Sequence, residues 1–134
     1  MNEIIKAFTA DQCYTLLTKG VHTELIKNCI LDTPCKVYVY CTLADSSCDT
    51  FEKGKVIGEY VIYKHYTCNT SSATTTILKK LAGYSKEYSF PQTFLFAGPL
   101  TLYKKPRSVS EFISTQGDVI SKPPLKFQYC KYIK

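Results

Sequence analysis

The strict alternation in Lys36-Val37-Tyr38-Val39-Tyr40-Cys41-Thr42 constrains this chain more than any other stretch. Val37, Val39 and Cys41 fall on one side of an extended backbone, and Tyr38 and Tyr40 on the other. Five more segments carry β-type composition: Val21–Lys27, Lys55–Tyr66, Thr93–Phe96, Leu100–Tyr103 and Lys126–Ile133. Gly58 marks a bulge within the second of these. The last alternates again, with Phe127, Tyr129, Lys131 and Ile133 opposite Gln128, Cys130 and Tyr132.

Helix signals are short. Thr9 caps a helix to Lys19, in which Cys13, Leu16 and Leu17 share a face and Gly20 is the stop. A polar loop, Cys68–Thr76, leads into a second helix from Thr76 to Ala82, terminated by Gly83. Ser108-x-x-Glu111 is a capping box, and Phe112 and Ile113 begin the apolar face of a third helix after Pro106. Six β segments and two or three short helices in 134 residues predict an α+β fold, with the helices covering the ends of a small barrel. The length is that of a single domain spanning 1–134.

No apolar run reaches the ~18–20 residues of a membrane helix, and Met1–Gln12 lacks the pattern of a secretory signal. The expected location is cytoplasmic, where the seven cysteines stay reduced. No CxxC pair and no zinc-type spacing with His22 or His65 occurs, so no metal and no cofactor are expected. Phosphate-binding glycine loops and nucleophile elbows are absent as well.

The net charge of +6 is uneven. Residues 1–78 hold 7 Lys against 8 acids, whereas residues 79–134 hold 10 basic residues against 3 acids. Rings and cations interleave in Tyr84–Phe90, Leu102–Arg107 and Lys126–Tyr132. Cations meet phosphates and rings stack on bases, so the pattern points to an anionic partner such as RNA or a nucleotide. Plain strand alternation, with rings inside and lysines in water, explains the last of the three equally well.

Several motifs then fall in a familiar order. Leu16–Thr23 (LLTKGVHT) resembles the helix–strand opening of ASCH domains, a branch of the PUA-like superfamily. Thr33–Thr42 (TPCKVYVYCT), Gly54–Tyr60 (GKVIGEY), Gly83–Lys86 (GYSK), Leu102–Phe112 (LYKKPRSVSEF) and Lys122-Pro123-Pro124 resemble later ASCH segments of bacterial and phage type. The resemblance implies a small β-barrel whose cleft lies beside the first helix–strand junction and holds RNA or a modified nucleotide. It assigns Lys19, His22, Thr23, Lys27, Ser85, Lys86 and Tyr88 to that cleft, with Lys19 and Lys86 on phosphate, Tyr88 stacking and His22 on a base edge.

Some relatives hydrolyse N4-acetylcytidine with a Lys and a Thr in this opening. Here those positions hold His22 and Leu25, and Lys27 replaces an Arg, so the resemblance implies binding without catalysis. Two alternatives stand beside it. One is an altered amidohydrolase with His22 as base. The other is a protein-interaction module, such as a phage protein that blocks a host factor.

Overall fold

A computed structural model describes residues 1–27, 31–83, 91–123 and 127–133. Its elements run β1 (Asn2–Phe8), α1 (Ala10–Lys19), β2 (His22–Lys27), β3 (Cys35–Cys41), β4 (Lys55–Cys68), α2 (Ala73–Leu81), β5 (Gln92–Ala97), β6 (Thr101–Arg107), a 3-10 turn (Val109–Glu111), β7 (Phe112–Ser114) and β8 (Phe127–Tyr132). The fold is α+β. Eight strands form one sheet in the order β2-β5-β4-β3-β1-β8-β7, with β6 also paired to β4. β2 and β7 end that path, and among the described residues no ladder joins them. Among the described residues the sheet is not closed there, so the expected barrel closure is not seen.

Strand β1, like the short β7, is an element that sequence patterning missed. It runs parallel to β3, from Asn2 opposite Cys35 to Phe8 opposite Cys41, and antiparallel to β8. Its neighbours Ile4 and Ile5 point to opposite faces, and both are buried. Ile4 joins Val37, Val39, Cys41, Ile57, Tyr60 and Ile62 in the core under α1, where Cys13 and Leu16 pack. Ile5 joins Tyr38, Tyr40, Val56 and Phe112 in a second core on the other face. The alternation of β3 therefore divides its side chains between two cores.

Local chemistry sets the element ends. Thr9 and Gln12 form a capping box at the start of α1, and Gly20, at φ 66°, ends it. Ser72 caps α2 one turn earlier than expected. The expected third helix is only the 3-10 turn, although its Ser108–Glu111 capping box forms. Phe112 and Ile113 pair with Tyr132 and Lys131 instead, because the second core needs a strand there to bury Phe112. At Gly58 the chains are too close for a side chain: a methyl group would sit 2.4 Å from the Thr101 carbonyl oxygen. The β3–β4 register shifts beside it, as a bulge requires.

Six described cysteines are free thiols, and five of them are buried. Burial pushes Cys35 up to about 11 and Cys130 up to about 12, which leaves them protonated packing groups. Among the described residues, no group of three or more His, Cys, Asp or Glu is placed to hold a metal. No described helix is long and apolar enough to cross a membrane.

Candidate functional site

Strand β2 ends the sheet. It pairs antiparallel with β5, from His22 opposite Ala97 to Lys27 opposite Gln92, and has no other strand neighbour among the described residues. Its free edge borders a cleft of about 260 Å³. Lys6 and Phe8 of β1 form one wall, Gln12, Thr15, Leu16 and Lys19 of α1 another, and His22–Leu25 with Ala82 the rest. That volume is just below the ~300 Å³ lower limit of drug-sized pockets, enough for one small ring system.

Period-two alternation puts His22 and Glu24 on the same face of β2. His22 Nε2 lies 2.6 Å from Glu24 Oε2, and His22 Nδ1 lies 3.1 Å from the Gly20 carbonyl oxygen. The Tyr60 hydroxyl donates to the same Glu24 Oε2 at 2.8 Å. Both imidazole nitrogens thus face acceptors, which is the environment of an imidazolium. Burial alone would lower the His22 pKa. The hydrogen bonds to Glu24 and Gly20 outweigh it and raise the value. Burial would likewise raise Glu24, but the His22 bond, the Lys6 charge and the Tyr60 bond bring it below the usual carboxylate value. Burial, then the Glu24 charge, pushes Tyr60 well up, so its proton stays on.

The remaining polar lining is partly occupied. Gln12 accepts from the Thr9 backbone, and the Thr15 hydroxyl donates to the Asp11 carbonyl. Lys6 reaches over the Phe8 ring at 5.2 Å, and its charge acts on Glu24. Lys19 is exposed at the rim. Lys6 and Lys19 therefore face one carboxylate among the described lining residues, a net positive cleft.

Of the residues expected at the site, Lys19, His22 and Thr23 line this one cleft. Lys27 closes β2, with its backbone opposite Gln92 and its side chain outside the described atoms. Ser85, Lys86 and Tyr88 lie outside the described residues. Leu25 also lines the cleft and carries no hydroxyl. His65 instead meets Thr33 Oγ1 at 2.8 Å, and it does not line the cleft.

Sequence reasoning missed Lys6, Glu24 and Tyr60. His22-x-Glu24 within a strand was the one readable signal, since that spacing puts two side chains together. Lys6 and Tyr60 come from strands that only the sheet order brings near.

No family model matches the sequence, and no curated protein matches it significantly. Solved structures do resemble it in fold. A crystal structure of a serine-to-alanine mutant of ASCH from Zymomonas mobilis superposes with a TM-score of 0.65 at 12% identity, covering 96% of this chain and 88% of that one. The unmutated ASCH from Zymomonas mobilis gives 0.57 at 11% identity, covering 96% and 87%. A tyrosine-to-phenylalanine mutant gives 0.57 at 10% identity, covering 98% and 91%. The chain has an ASCH-type fold, the one that its motif order resembles.

Proposed function

We propose that this chain, as a single domain over residues 1–134, binds RNA or a nucleotide in the cleft beside α1 without turning it over. The charge balance of the cleft carries the reading: Lys6 and Lys19 face Glu24 alone among the described lining carboxylates, in a space that suits one base. Lys19 at the rim is the phosphate contact, and Thr23 adds a hydroxyl. Ala82 already lines the cleft, and Ser85, Lys86 and Tyr88 follow shortly in the chain. They and Lys27 complete the proposed binding set, with Tyr88 as the stacking ring. Hydrolysis by the altered-residue route needs His22 as a free base. Both its nitrogens already face acceptors and its side chain is 4% exposed, which favours binding alone.

The test is titration of a short single-stranded RNA and of nucleoside monophosphates by calorimetry. Affinity should fall steeply between about 50 and 200 mM salt. No binding of any of these at low salt would overturn the reading.

A further inference from the structure

The ring-and-cation stretch of β6 takes no part in the cleft. Arg107 is its last residue, opposite Val56 of β4. The guanidinium carbon lies 3.8 Å from the centre of the Tyr103 ring and 3.9 Å from that of Tyr132. Both rings pack against the second core, on the face of the sheet away from α1. Each is itself held in place. The Tyr103 hydroxyl donates to Glu59 Oε1 at 2.9 Å, and Tyr132 packs on Phe112 with ring centres 5.3 Å apart. A guanidinium between two rings has its faces covered and keeps its edge, where all of its N–H donors point.

Those donors are not spent inside the protein. Among the described residues, no hydrogen bond or ion pair reaches the Arg107 side chain. The acids nearby have other partners. Glu59 Oε2 pairs with Lys36 Nζ at 3.3 Å, Glu3 accepts from the Tyr38 hydroxyl, and Glu111 Oε2 accepts from the Ser108 backbone at 2.7 Å. Arg107 is half-buried, and none of its nitrogens is sealed from solvent without a partner, so the edge opens outward. Other cations lie beside it. From Leu102 to Arg107 β6 advances five residues while β4 advances two, from Gly58 to Val56. The intervening chain bulges from the ladder and carries Lys104 and Lys105 into solvent. β6 holds no acid, and β4 is its one strand neighbour among the described residues.

We infer that β6 holds a second anion site, in which Arg107 grips a backbone phosphate of single-stranded RNA through its edge and Lys104 and Lys105 meet neighbouring phosphates. The inference rests on the RNA part of the proposed function and on none of the cleft's residues. The planar fork of Arg matches two phosphate oxygens, and the two tyrosines fix it in advance, so little freedom is lost on binding. A phosphodiester carries a charge at every unit of its chain, which suits three cations between 104 and 107; a peptide does so only where acids run consecutively. The site also gives a role to the basic C-terminal part of the chain, of whose described cations none lines the cleft.

Fluorescence anisotropy with a short labelled oligouridylate, titrated over a range of salt, tests it. Arg107→Met fills the slot between the rings without the charge. It should weaken RNA about tenfold and lower the slope of log affinity against log salt by about one. The double variant Lys104→Ala, Lys105→Ala changes exposed side chains and should lower the slope by at least about one. UMP, whose single phosphate is assigned to Lys19, should bind Arg107→Met as it binds the unaltered protein. A peptide nucleic acid of the same sequence has no backbone charge and should not distinguish the two. A purely structural Arg107 would lower the melting temperature and leave the salt slope alone. An unchanged slope in folded Arg107→Met or in the double variant overturns the inference and leaves the cleft standing. So does a poly-aspartate peptide that competes as well as unlabelled RNA, or RNA that fails to bind while UMP binds. RNA binding that depends on Arg107 without any binding of UMP supports the second site and removes the nucleotide cleft. If neither RNA nor UMP binds, both fall. The double variant keeps the test open should Arg107→Met fold poorly.

Discussion

Tyr60→Phe removes one oxygen and keeps the ring contacts with Phe8 and His22, which makes it the cleanest probe of the network. The lost bond is to a charged acceptor in a largely buried site, worth about 1.5–3 kcal/mol. For a chain of 134 residues the unfolding entropy is about 0.28 kcal/mol/K, so the midpoint should drop by about 5–10 °C. The protein has no Trp, so far-UV circular dichroism is the readout. The pH dependence supplies a second check. Glu24 is held below the ordinary carboxylate range in the folded state, so its contribution is complete above that range and is lost as pH falls through the folded pKa. The gap between the two proteins should be full at neutral pH and close in acid. A difference under about 0.5 kcal/mol at neutral pH, the size of an ordinary surface substitution, would refute the reasoning. So would a gap that persists once Glu24 is protonated.

His22 has the opposite sign. Its folded pKa lies above that of an ordinary histidine, so its contribution is complete below the ordinary value and fades as pH rises through the folded one; the stability gap between the unaltered protein and His22→Gln should shrink over that range in denaturant melts. Gly58→Ala should cost about 1–3 kcal/mol by chemical denaturation, because the new methyl meets Thr101 backbone rather than a mobile side chain. Lys19→Ala should change stability by less than about 0.5 kcal/mol. It should also reduce the slope of log affinity against log salt for RNA by about one.

The legible parts of the fold are those with local periodicity. β3 was readable because Val37, Val39 and Cys41 feed one core while Tyr38 and Tyr40 feed the other. β1 was not, because a strand buried on both faces has no alternation: Ile4 and Ile5 are adjacent and both apolar, with Lys6 next to them. β7 was hidden by a genuine capping box, whose local signal for a helix lost to the burial of Phe112. The site shows the same division. Lys19, His22 and Thr23 could be placed from one helix–strand junction. Charge asymmetry pointed to the C-terminal half, yet the described cations of the cleft, Lys6 and Lys19, come from the nearly neutral N-terminal half. Lys6 and Tyr60 meet Glu24 only through the β2-β5-β4-β3-β1 order, which no short window contains.

The inward face of β2 is where this chain departs most from an economical core. Burying a charged pair costs several kcal/mol per ion before its mutual attraction is counted, and well-packed apolar residues of similar volume are often neutral or better by about 1–4 kcal/mol. Removing one partner is the damaging change, because it leaves the other charge or hydroxyl buried alone. If His22, Glu24 and Tyr60 served only stability, replacing all three with apolar residues would be no improvement and would cost nothing in binding. The triple variant His22→Leu, Glu24→Met, Tyr60→Phe separates the two roles. It should melt at or above the temperature of the unaltered protein and well above Glu24→Met alone, while nucleotide binding in the cleft is lost. A triple variant that melts below Glu24→Met, or that still binds nucleotide as the unaltered protein does, would show that the network holds the strand rather than the ligand. Local breaches of packing logic gather where a fold carries function. In this molecule the breach lies on a terminal strand, where the free edge of β2 leaves room for a ligand beside the charges.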